Sequence, residues 1–321
     1  GGMSDFEALL MVDIVGQYCP ETAMALNVTH LLAAHAILNL GTEAAKEAYL
    51  PPVVEGTDAI AIAISEPEAG SDVTSMNTEI AEVNGTLVLN GEKIWVSRVP
   101  DASAAVVWTK FPGGLGAVIM DFDADGVEIS QHFTNMAGHQ QTQFFMQDVE
   151  IPPENVLTRG SDSFRDVLEA LNWERLGASV AANATAVCAF RHALYYAQDR
   201  EQFDQKIAEF QGIQWKLAEM FKRIQTSRMY ALQIGKRALS QGAAPPRLGT
   251  AVAKLWSAET VEHVATESLQ IHGANGFQQG SPIERLYRLA RSHRLAGGTD
   301  EIMKNQIADE LLKSGFPSLT E

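Results

Sequence analysis

Glu174 lies in a sequence context that suits proton transfer. Its neighbours at helical spacings of three and four residues, in LNWERLGAS and beyond, are mostly apolar or small. The residues on this helix face are Val167, Leu171, Glu174, Ala178, Ala182 and Thr185. A carboxylate on such a face loses contact with water, which raises its pKa and suits a general base. The alternative interpretation is a glutamate on the helix surface that pairs with the neighbouring Arg175.

A glycine-rich turn in HRLAGGTDEI, at residues 293–302, is a second candidate for a functional segment. Thr299 is a typical helix N-cap, and the two acidic residues after it favour the first turn of a helix. This accounts for the composition of the turn but not for the Gly297-Gly298 pair before the cap. The glycine pair therefore raises the question of what rests against this turn.

Three further motifs combine polar residues with strand or helix ends. The first is AISEPEAGSDVTSM with the later NGEKIWVS, in which a turn at residues 70–72 offers backbone N–H groups to an anion. The second, DREQFDQKIAEFQGIQ, is a charged helix end followed by an amphipathic helix. The third, LQIHGANGFQQGSPIERLYR, contains a glycine-rich helix stop. Each motif alone is also explained by an ordinary turn, helix or C-cap.

The apolar patterning predicts which elements position these motifs. Residues 1–56 show helical spacing, and short or alternating apolar runs separated by NG, PGG and DADG turns fill residues 57–158. Helical spacing returns in residues 159–321 and is clearest over residues 207–232. Four long helices are expected in this last part. The predicted fold class is α+β, with N-terminal helices, a central antiparallel β-domain and a C-terminal four-helix bundle.

Composition excludes several classes of protein. The chain has 321 residues, with 46% hydrophobic and 20% charged residues, which is typical of a globular protein. A net charge of −16 argues against nucleic acid as a partner, because phosphate binding needs a basic face. Cys19 and Cys188 have apolar neighbours and are expected to be buried free thiols in a reducing compartment. No CxxC or HExxH motif occurs, so no metal site is expected.

The sequence also bears on location. No uninterrupted apolar run reaches the roughly 20 residues of a membrane span, so none is expected. The first residues, GGMSDFEALL, lack the features of a secretory signal peptide. A bacterial-type cytoplasmic location is therefore expected, with the mitochondrial matrix as the alternative.

In type, order and spacing, the three motifs together resemble the acyl-CoA dehydrogenase family of flavoproteins, over essentially the whole chain. The resemblance implies FAD-dependent dehydrogenation of an acyl-CoA substrate, with electrons passed to an electron-transfer flavoprotein. It also implies a homo-oligomer, commonly a tetramer. Members usually begin with further helices that end in a Tyr-Gly-Gly stretch, so Gly1-Gly2 predicts that roughly 60–80 residues precede this sequence.

The resemblance further implies where FAD binds, between the β-domain and the bundle. Two strand ends would contact the flavin ring, through Ile64, Ser65, Trp95 and Ser97. A helix end and a loop would hold the ADP half of a neighbouring subunit's FAD, through Arg200, Phe203, Gln270 and Gly273. A helix N-terminus, with Thr299 and Glu301, would bind the cofactor phosphates and ribose. The hydroxyls of Ser65 and Ser97 would lie near N5 and O4, with Trp95 packed on the ring. Ser71 matches a position near the CoA pantetheine and phosphates.

Three positions depart from the family pattern. Asp204 stands where a glycine is usual, and Leu289 stands where an aspartate is common. Most relatives have Tyr-Glu-Gly-Thr with that glutamate as the catalytic base, whereas this chain has glycine, Gly297, at the same place. The usual base is therefore missing.

Isovaleryl-CoA dehydrogenase instead carries its base on a bundle helix, immediately before an arginine, as Glu174 lies before Arg175. We therefore expect Glu174 to be the general base. Gly297 would leave room beside the flavin and offer its N–H to the thioester carbonyl. Arg175 would position the CoA or the loop. Trp173, beside the base, favours a short, branched or polar acyl group.

Two alternatives remain open from the sequence. ERLGASVAANATAVCAF and RLAGGTDEI also resemble crotonobetainyl-CoA reductase, in which the same carboxylate would act as an acid on an enoyl-CoA. The absent turn glutamate and the short N-terminal part are also consistent with a family member that binds acyl-CoA or flavin without turnover.

Overall fold

The computed structural model describes the backbone of residues 2–317 and the side chains in that range except those of residues 161–170. By packing, the chain forms two compact units. Gly1–Asn27 and Asn172–Glu321 make up the first, called here the helical unit, and Val28–Leu171 the second, called the sheet unit. The division into domains at residues 1–56, 57–158 and 159–321 stays a prediction.

The sheet unit contains eight strands in one sheet, in the order β6-β7-β3-β2-β4-β5-β8, with β1 paired to β4. The strands are β1 Ala59–Ala63, β2 Glu79–Val83, β3 Thr86–Ser97, β4 Ala102–Phe111, β5 Gly114–Asp121, β6 Val127–Thr134, β7 Gln140–Ile151 and β8 Val156–Thr158. Alternate residues of β4 enter different cores: Val106 and Trp108 pack with residues of α3 (Ala34–Leu40) and α4 (Glu43–Glu55), and Val107 packs with residues of β7. This central strand is buried on both faces, as its continuous apolar run AAVVW requires.

The sheet is mainly antiparallel, as predicted, but two of its pairings are parallel. β1 runs parallel to β4 over five residue pairs, and β2 meets β4 in parallel at Glu79 and Lys110. β1 pairs with the first half of β4, and β2 begins opposite Lys110, further along the same strand. Because β5 occupies the other side of β4, β1 and β2 follow one another along one side of β4 and run in its direction. The prediction of an antiparallel β-domain therefore holds for the other pairings of the sheet but not for these two.

A buried ion pair ties the segment after β1 to β3. Lys93 Nζ lies 2.8 Å from Glu66 Oε1 and donates a hydrogen bond to the Ile64 carbonyl at 3.0 Å. Both side chains are almost fully buried. Burial raises the pKa of Glu66, but hydrogen bonds from the Asn77 and Thr78 N–H groups and from Lys93 outweigh burial and hold it below its usual value. Glu66 is therefore an ionised, fully paired carboxylate.

Replacing Lys93 by methionine is expected to lower the free energy of unfolding by about 3–5 kcal/mol, because the buried Glu66 carboxylate loses its partner. Urea unfolding followed by circular dichroism measures the effect. Lys46→Met is the matched control: Lys46 forms a more exposed pair with Glu43, and its loss should cost less than about 1 kcal/mol. Equal effects of the two substitutions would contradict a structural role for the buried pair.

The helical unit contains seven helices among its described residues. They are α1 Asp5–Gly16, α2 Pro20–Val28, α5 Gly160–Asp199 from Asn172 onwards, α6 Gln211–Gln241, α7 Arg247–His272, α8 Pro282–Ser292 and α9 Asp300–Ser314. Small residues allow close packing, as predicted for α5. A Cβ at Gly16 would lie 2.7 Å from the Ala184 Cβ, and a Cβ at Gly235 would lie 2.7 Å from Leu9.

Four long helices were expected in this part of the chain, whereas the structure has three long helices, α5, α6 and α7, and two shorter ones, α8 and α9. α6 begins at Gln211, because a 3-10 turn over Ile207–Glu209 precedes it, and the last stretch is divided into α8 and α9. The division occurs where Gly297 and Gly298 take positive φ values, +71° and +114°, which no right-handed helix accommodates.

One helical stretch, Pro20–Leu40, is long and apolar enough to cross a bilayer by length and composition, with a mean hydropathy of 1.4. It was not singled out from the sequence. Of the 18-residue segment that has this hydropathy, 44% is buried inside the protein. The core helix of a soluble protein has a similar length and composition. The stretch is therefore weak evidence for a membrane span.

The two cysteines are free thiols, and Cys188 is buried, as expected. The expectation of burial was wrong for Cys19, which is exposed because it lies in the turn between α1 and α2.

Candidate active site

The α5 helix places Glu174 inside the helical unit, with 6% of its surface exposed. Its Oε1 accepts a hydrogen bond from the Asn27 side-chain amide at 3.4 Å, and its Oε2 has no hydrogen-bond partner among the described residues. Burial raises the pKa of Glu174, and the charges of Arg175 and Lys254 together with the Asn27 amide oppose that shift. This placement is incompatible with the alternative of an exposed surface glutamate.

The backbone of the glycine-rich turn lies directly against the unpaired carboxylate oxygen. A Cβ at Gly297 would stand 3.1 Å from Glu174 Oε2, and one at Gly298 would stand 2.8 Å from the Met303 methyl carbon. Arg175 Nε donates to the Gly297 carbonyl at 2.9 Å. The structure therefore brings together three of the four residues that the sequence linked to catalysis and substrate: Glu174, Arg175 and Gly297. The fourth, Ser71, belongs to the sheet unit.

Lys254 supports the same turn from α7. It is 2% exposed, and its ammonium donates to the His293 carbonyl at 2.9 Å and to the Gly298 carbonyl. Burial lowers the pKa of Lys254 to about 8, against the opposing charges of Asp300 and Glu174. Sequence reasoning missed Lys254. Its spacing from Thr250 and Ser257, both buried, puts it on the inner face of α7 and is the signal that could have found it.

His293 is buried beside this site, and its Nε2 lacks a partner among the described residues. Burial and the Lys254 charge lower the pKa of His293 to about 4. Because the unfolded chain takes up the proton near pH 6.5, the stability from this group is fully present above pH 6.5 and is lost as the pH falls towards 4. The loss should be on the order of 3 kcal/mol.

His293→Gln is therefore expected to flatten the decline in unfolding free energy between pH 6.5 and pH 4. Urea unfolding at a series of pH values measures the slope, which is independent of any constant cost of the substitution. Gln131→Asn, at an exposed position of β6, is the control: it removes no titratable group and should leave the slope as it is. An unchanged slope in His293→Gln would show that this histidine does not titrate as a buried neutral group.

In the sheet unit, the predicted flavin-contacting residues lie at two adjoining strand ends. The Ile94 N–H donates to the Ser65 carbonyl at 3.0 Å and joins the segment after β1 to β3. A register shift between Lys93 and Val96 accompanies a positive φ of +61° at Trp95. Trp95 is 50% exposed, and Ser97 is exposed on the same strand. A half-exposed indole beside an exposed hydroxyl fits the face and edge of a flavin ring.

The Trp95 indole is also fixed in place. The centroid of the indole ring is 4.8 Å from that of the Phe133 ring. The backbone carbonyl of Trp95 accepts a hydrogen bond from Gln141 Nε2 at 3.2 Å. Ile64 is half-buried, and its carbonyl accepts from Lys93. These contacts order the backbone at Ile64 and the side chain of Trp95. Their assignment to flavin binding stays a prediction.

The other predicted binding residues are mostly exposed. Arg200 and Phe203 lie next to and within the short hairpin of β9 (Glu201–Gln202) and β10 (Gln205–Lys206). Phe203 and Asp204 have φ values of +54° and +60°, which explains why a glycine is usual at residue 204. Gln270 is exposed near the end of α7, and Gly273 is its C-cap with a φ of +58°.

Thr299 is the N-cap of α9, as predicted, and its hydroxyl accepts from the Ile302 N–H at 3.3 Å. Glu301 is exposed in the first turn of that helix. In the sheet unit, Ser71 is exposed in the turn before the Asp72 cap. Leu289, which stands where the family commonly has an aspartate, is a buried core residue. Among the described residues, no group of three or more His, Cys, Asp or Glu side chains could hold a metal ion.

The chain matches family models at three places. They are described as acyl-CoA dehydrogenase N-terminal domain, at residues 1–57, middle domain, at residues 61–149, and C-terminal domain, at residues 163–312. These matches, in the order helices, sheet and helices, assign the fold to the flavin-dependent oxidoreductases. The chain belongs to the acyl-CoA dehydrogenase family, whose members act on CH–CH bonds and use FAD, as the resemblance implied.

Individual relatives support this assignment. The chain is 32% identical over 321 residues to an acryloyl-CoA reductase (NADH) of Anaerotignum propionicum, covering 97% of this chain and 81% of the relative. It is 32% identical over 289 residues to the mitochondrial isovaleryl-CoA dehydrogenase of Arabidopsis thaliana, covering 88% and 70%. The solved structure of butyryl-CoA dehydrogenase from Megasphaera elsdenii matches with a TM-score of 0.89 and 29% identity, covering 95% of this chain and 81% of that one.

Proposed function

We propose that this protein catalyses the FAD-dependent α,β-dehydrogenation of an acyl-CoA thioester, with Glu174 as the general base. The observation that carries the proposal is the buried Oε2 of Glu174, which lacks a hydrogen-bond partner among the described residues and faces the backbone of Gly297. A buried carboxylate oxygen without a partner is costly unless a ligand uses it.

The residues of the site divide the chemistry between them. Glu174 would take the α-proton of the thioester, and its raised pKa makes it a stronger base than an exposed glutamate. The positive charges of Arg175 and Lys254 oppose that rise and favour the ionised form that a base needs. When bound, FAD supplies the acceptor, at N5, for the hydride that leaves the β-carbon.

The turn would bind the reacting end of the substrate. Gly297 has no side chain between the carboxylate and the turn backbone, so its N–H could face the thioester carbonyl. Such a bond would stabilise the negative charge that develops on that oxygen as the α-proton leaves. Arg175, bonded to the Gly297 carbonyl, would keep this part of the turn in position.

We further propose that an electron-transfer flavoprotein accepts the electrons and that the protein works as a homo-oligomer. Arg200, Phe203 and Gln270 are exposed, as expected if they contact the FAD of a neighbouring subunit. Thr299 and Glu301 would then serve the phosphates and ribose at the N-terminus of α9.

Enoyl-CoA reduction is a second candidate, favoured by the similarity to the acryloyl-CoA reductase. The raised pKa of Glu174 also favours a protonated carboxyl, which could deliver a proton to the α-carbon of an enoyl-CoA. The two reactions use the same groups in opposite directions, so the potential of the flavin and its electron partner decide between them.

An anaerobic absorption experiment tests the proposal. The purified protein, reconstituted with FAD, is mixed with a panel of straight, branched and polar acyl-CoA thioesters. Bleaching of the flavin band by one of them supports dehydrogenation and identifies the acyl class. Reoxidation of the chemically reduced protein by an enoyl-CoA, without bleaching by any acyl-CoA, would favour the reductase. A protein that binds FAD but responds to neither would be non-catalytic.

A further inference from the structure

We propose that Lys254 is a positioning residue for the base: its ammonium holds the turn at residues 293–298 against Glu174 and places a positive charge beside that carboxylate. The inference rests on the proposed function of Glu174 and adds a residue that neither the sequence motifs nor the resemblance singled out.

The hydrogen bonds of the turn show why Lys254 is needed. Backbone N–H groups of Leu295 and Ala296 donate to the Ser292 carbonyl and fix only the first half of the turn. In the second half, the carbonyls of Gly297 and Gly298 are bound by side chains, by Arg175 in the first case and Lys254 in the second. Two glycines with positive φ have little conformational preference of their own, so these side chains define their backbone.

Lys254 also joins the two ends of the turn. Its ammonium binds the His293 carbonyl at the end of α8 and the Gly298 carbonyl just before the Thr299 cap of α9. One buried cation thus sets the span of the loop that carries Gly297. Removing it would leave the buried His293 carbonyl and the half-buried Gly298 carbonyl without this donor, and the turn could then move away from Glu174.

Among the described residues, the ammonium of Lys254 is not in direct contact with a carboxylate that would neutralise its charge. Within the described part of the chain, it forms no ion pair shorter than 4 Å, and the nearby Asp300 is bound by Arg294 instead. The charged groups that act on Lys254 are Glu174 and Arg175 on α5, Arg294 on the turn and Asp300 on α9. Its field therefore favours the ionised form of Glu174.

The test compares three variants of the FAD-loaded protein: Lys254→Met, which removes the charge and the donors, Lys254→Arg, which keeps both, and Lys236→Met at an exposed site of α6. The rate of flavin bleaching by the best acyl-CoA is measured from pH 5 to pH 9. Lys254→Met should lower that rate by about 10–100-fold, as expected for a displaced catalytic loop. It should also move the acid limb of the pH profile upwards by about one unit. Lys254→Arg should restore the acid limb, and Lys236→Met should match the wild type.

An activity loss in Lys254→Met with an unmoved acid limb would overturn the electrostatic part of the inference, and an unchanged rate would overturn all of it. Infrared titration of the Glu174 carboxyl, identified by its absence in Glu174→Gln, provides a readout apart from turnover. If the wild type turns over no thioester, the proposed function fails. In that case, the pH midpoint of the Glu174 infrared titration still tests the effect of the Lys254 charge. A higher midpoint in Lys254→Met than in the wild type would support that effect, and equal midpoints would contradict it. If Lys254→Met does not fold, Lys254→Gln replaces it in both measurements.

Discussion

Glu174→Gln is expected to retain FAD and to lose turnover by about 10²–10⁴-fold, the usual contribution of a general base. Glutamine has the size of glutamate, and its side-chain oxygen can still accept the hydrogen bond from Asn27. What it cannot do is take a proton at the position of Oε2, which faces the Gly297 backbone. The substitution thus removes the proposed chemistry and keeps the packing of α5.

The measurement is the single-turnover rate of flavin reduction, together with the flavin content of the purified variant. Glu310→Gln, which alters a partly exposed carboxylate paired with Arg247, is the matched control and should keep both values. The rate of the wild type should also fall on acidification at a pH above that of an ordinary glutamate, because burial raises the pKa of Glu174. A Glu174→Gln variant with a near-normal rate would remove this residue from the mechanism.

Gly297→Ala is expected to have the second largest effect on turnover, a loss of about 10–100-fold. The new methyl group would lie 3.1 Å from Glu174 Oε2, in the space where the α-proton must be transferred. The residue would also have to adopt a φ of +71°, which costs about 1–2 kcal/mol for an L-amino acid with a side chain. Part of the effect therefore falls on stability and part on catalysis.

Gly242→Ala separates these two contributions. Gly242 caps α6 with a φ of +59°, and a Cβ there would meet nothing within 4 Å. It should therefore lose stability to a similar degree but keep full turnover, as judged by urea unfolding and by flavin reduction. If both alanine variants keep full turnover, the space beside Glu174 is not used by the substrate.

The sequence was most informative where spacing alone determines burial. The periodicity around Glu174 correctly placed that carboxylate on a buried helix face, and the cap at Thr299 followed from residue type. Turn signals located the sheet, but the parallel pairing of β1 with β4 depends on the route of the chain between them, which local patterns do not encode.

The partners of the site were harder to predict because they come from distant segments. Asn27 lies 147 residues before Glu174, and its amide is within hydrogen-bond reach only because α2 packs beside α5. Lys254 donates to carbonyls 39 and 44 residues further along the chain. Every residue type has a backbone carbonyl, so a residue that accepts a hydrogen bond there can have any side chain. The sequence of the turn therefore does not indicate that a lysine binds to it.

The positive φ of Trp95 has an evolutionary consequence. A bulky residue in this conformation costs about 1–3 kcal/mol relative to relaxed backbone, and glycine would avoid that cost. Half of the indole is also left exposed, so it contributes less to the core than its size would allow. Selection for stability alone would therefore replace Trp95, whereas selection for the proposed flavin contact would keep it. A library randomised at this position should yield different residues when it is sorted for heat resistance and when it is sorted for cofactor retention.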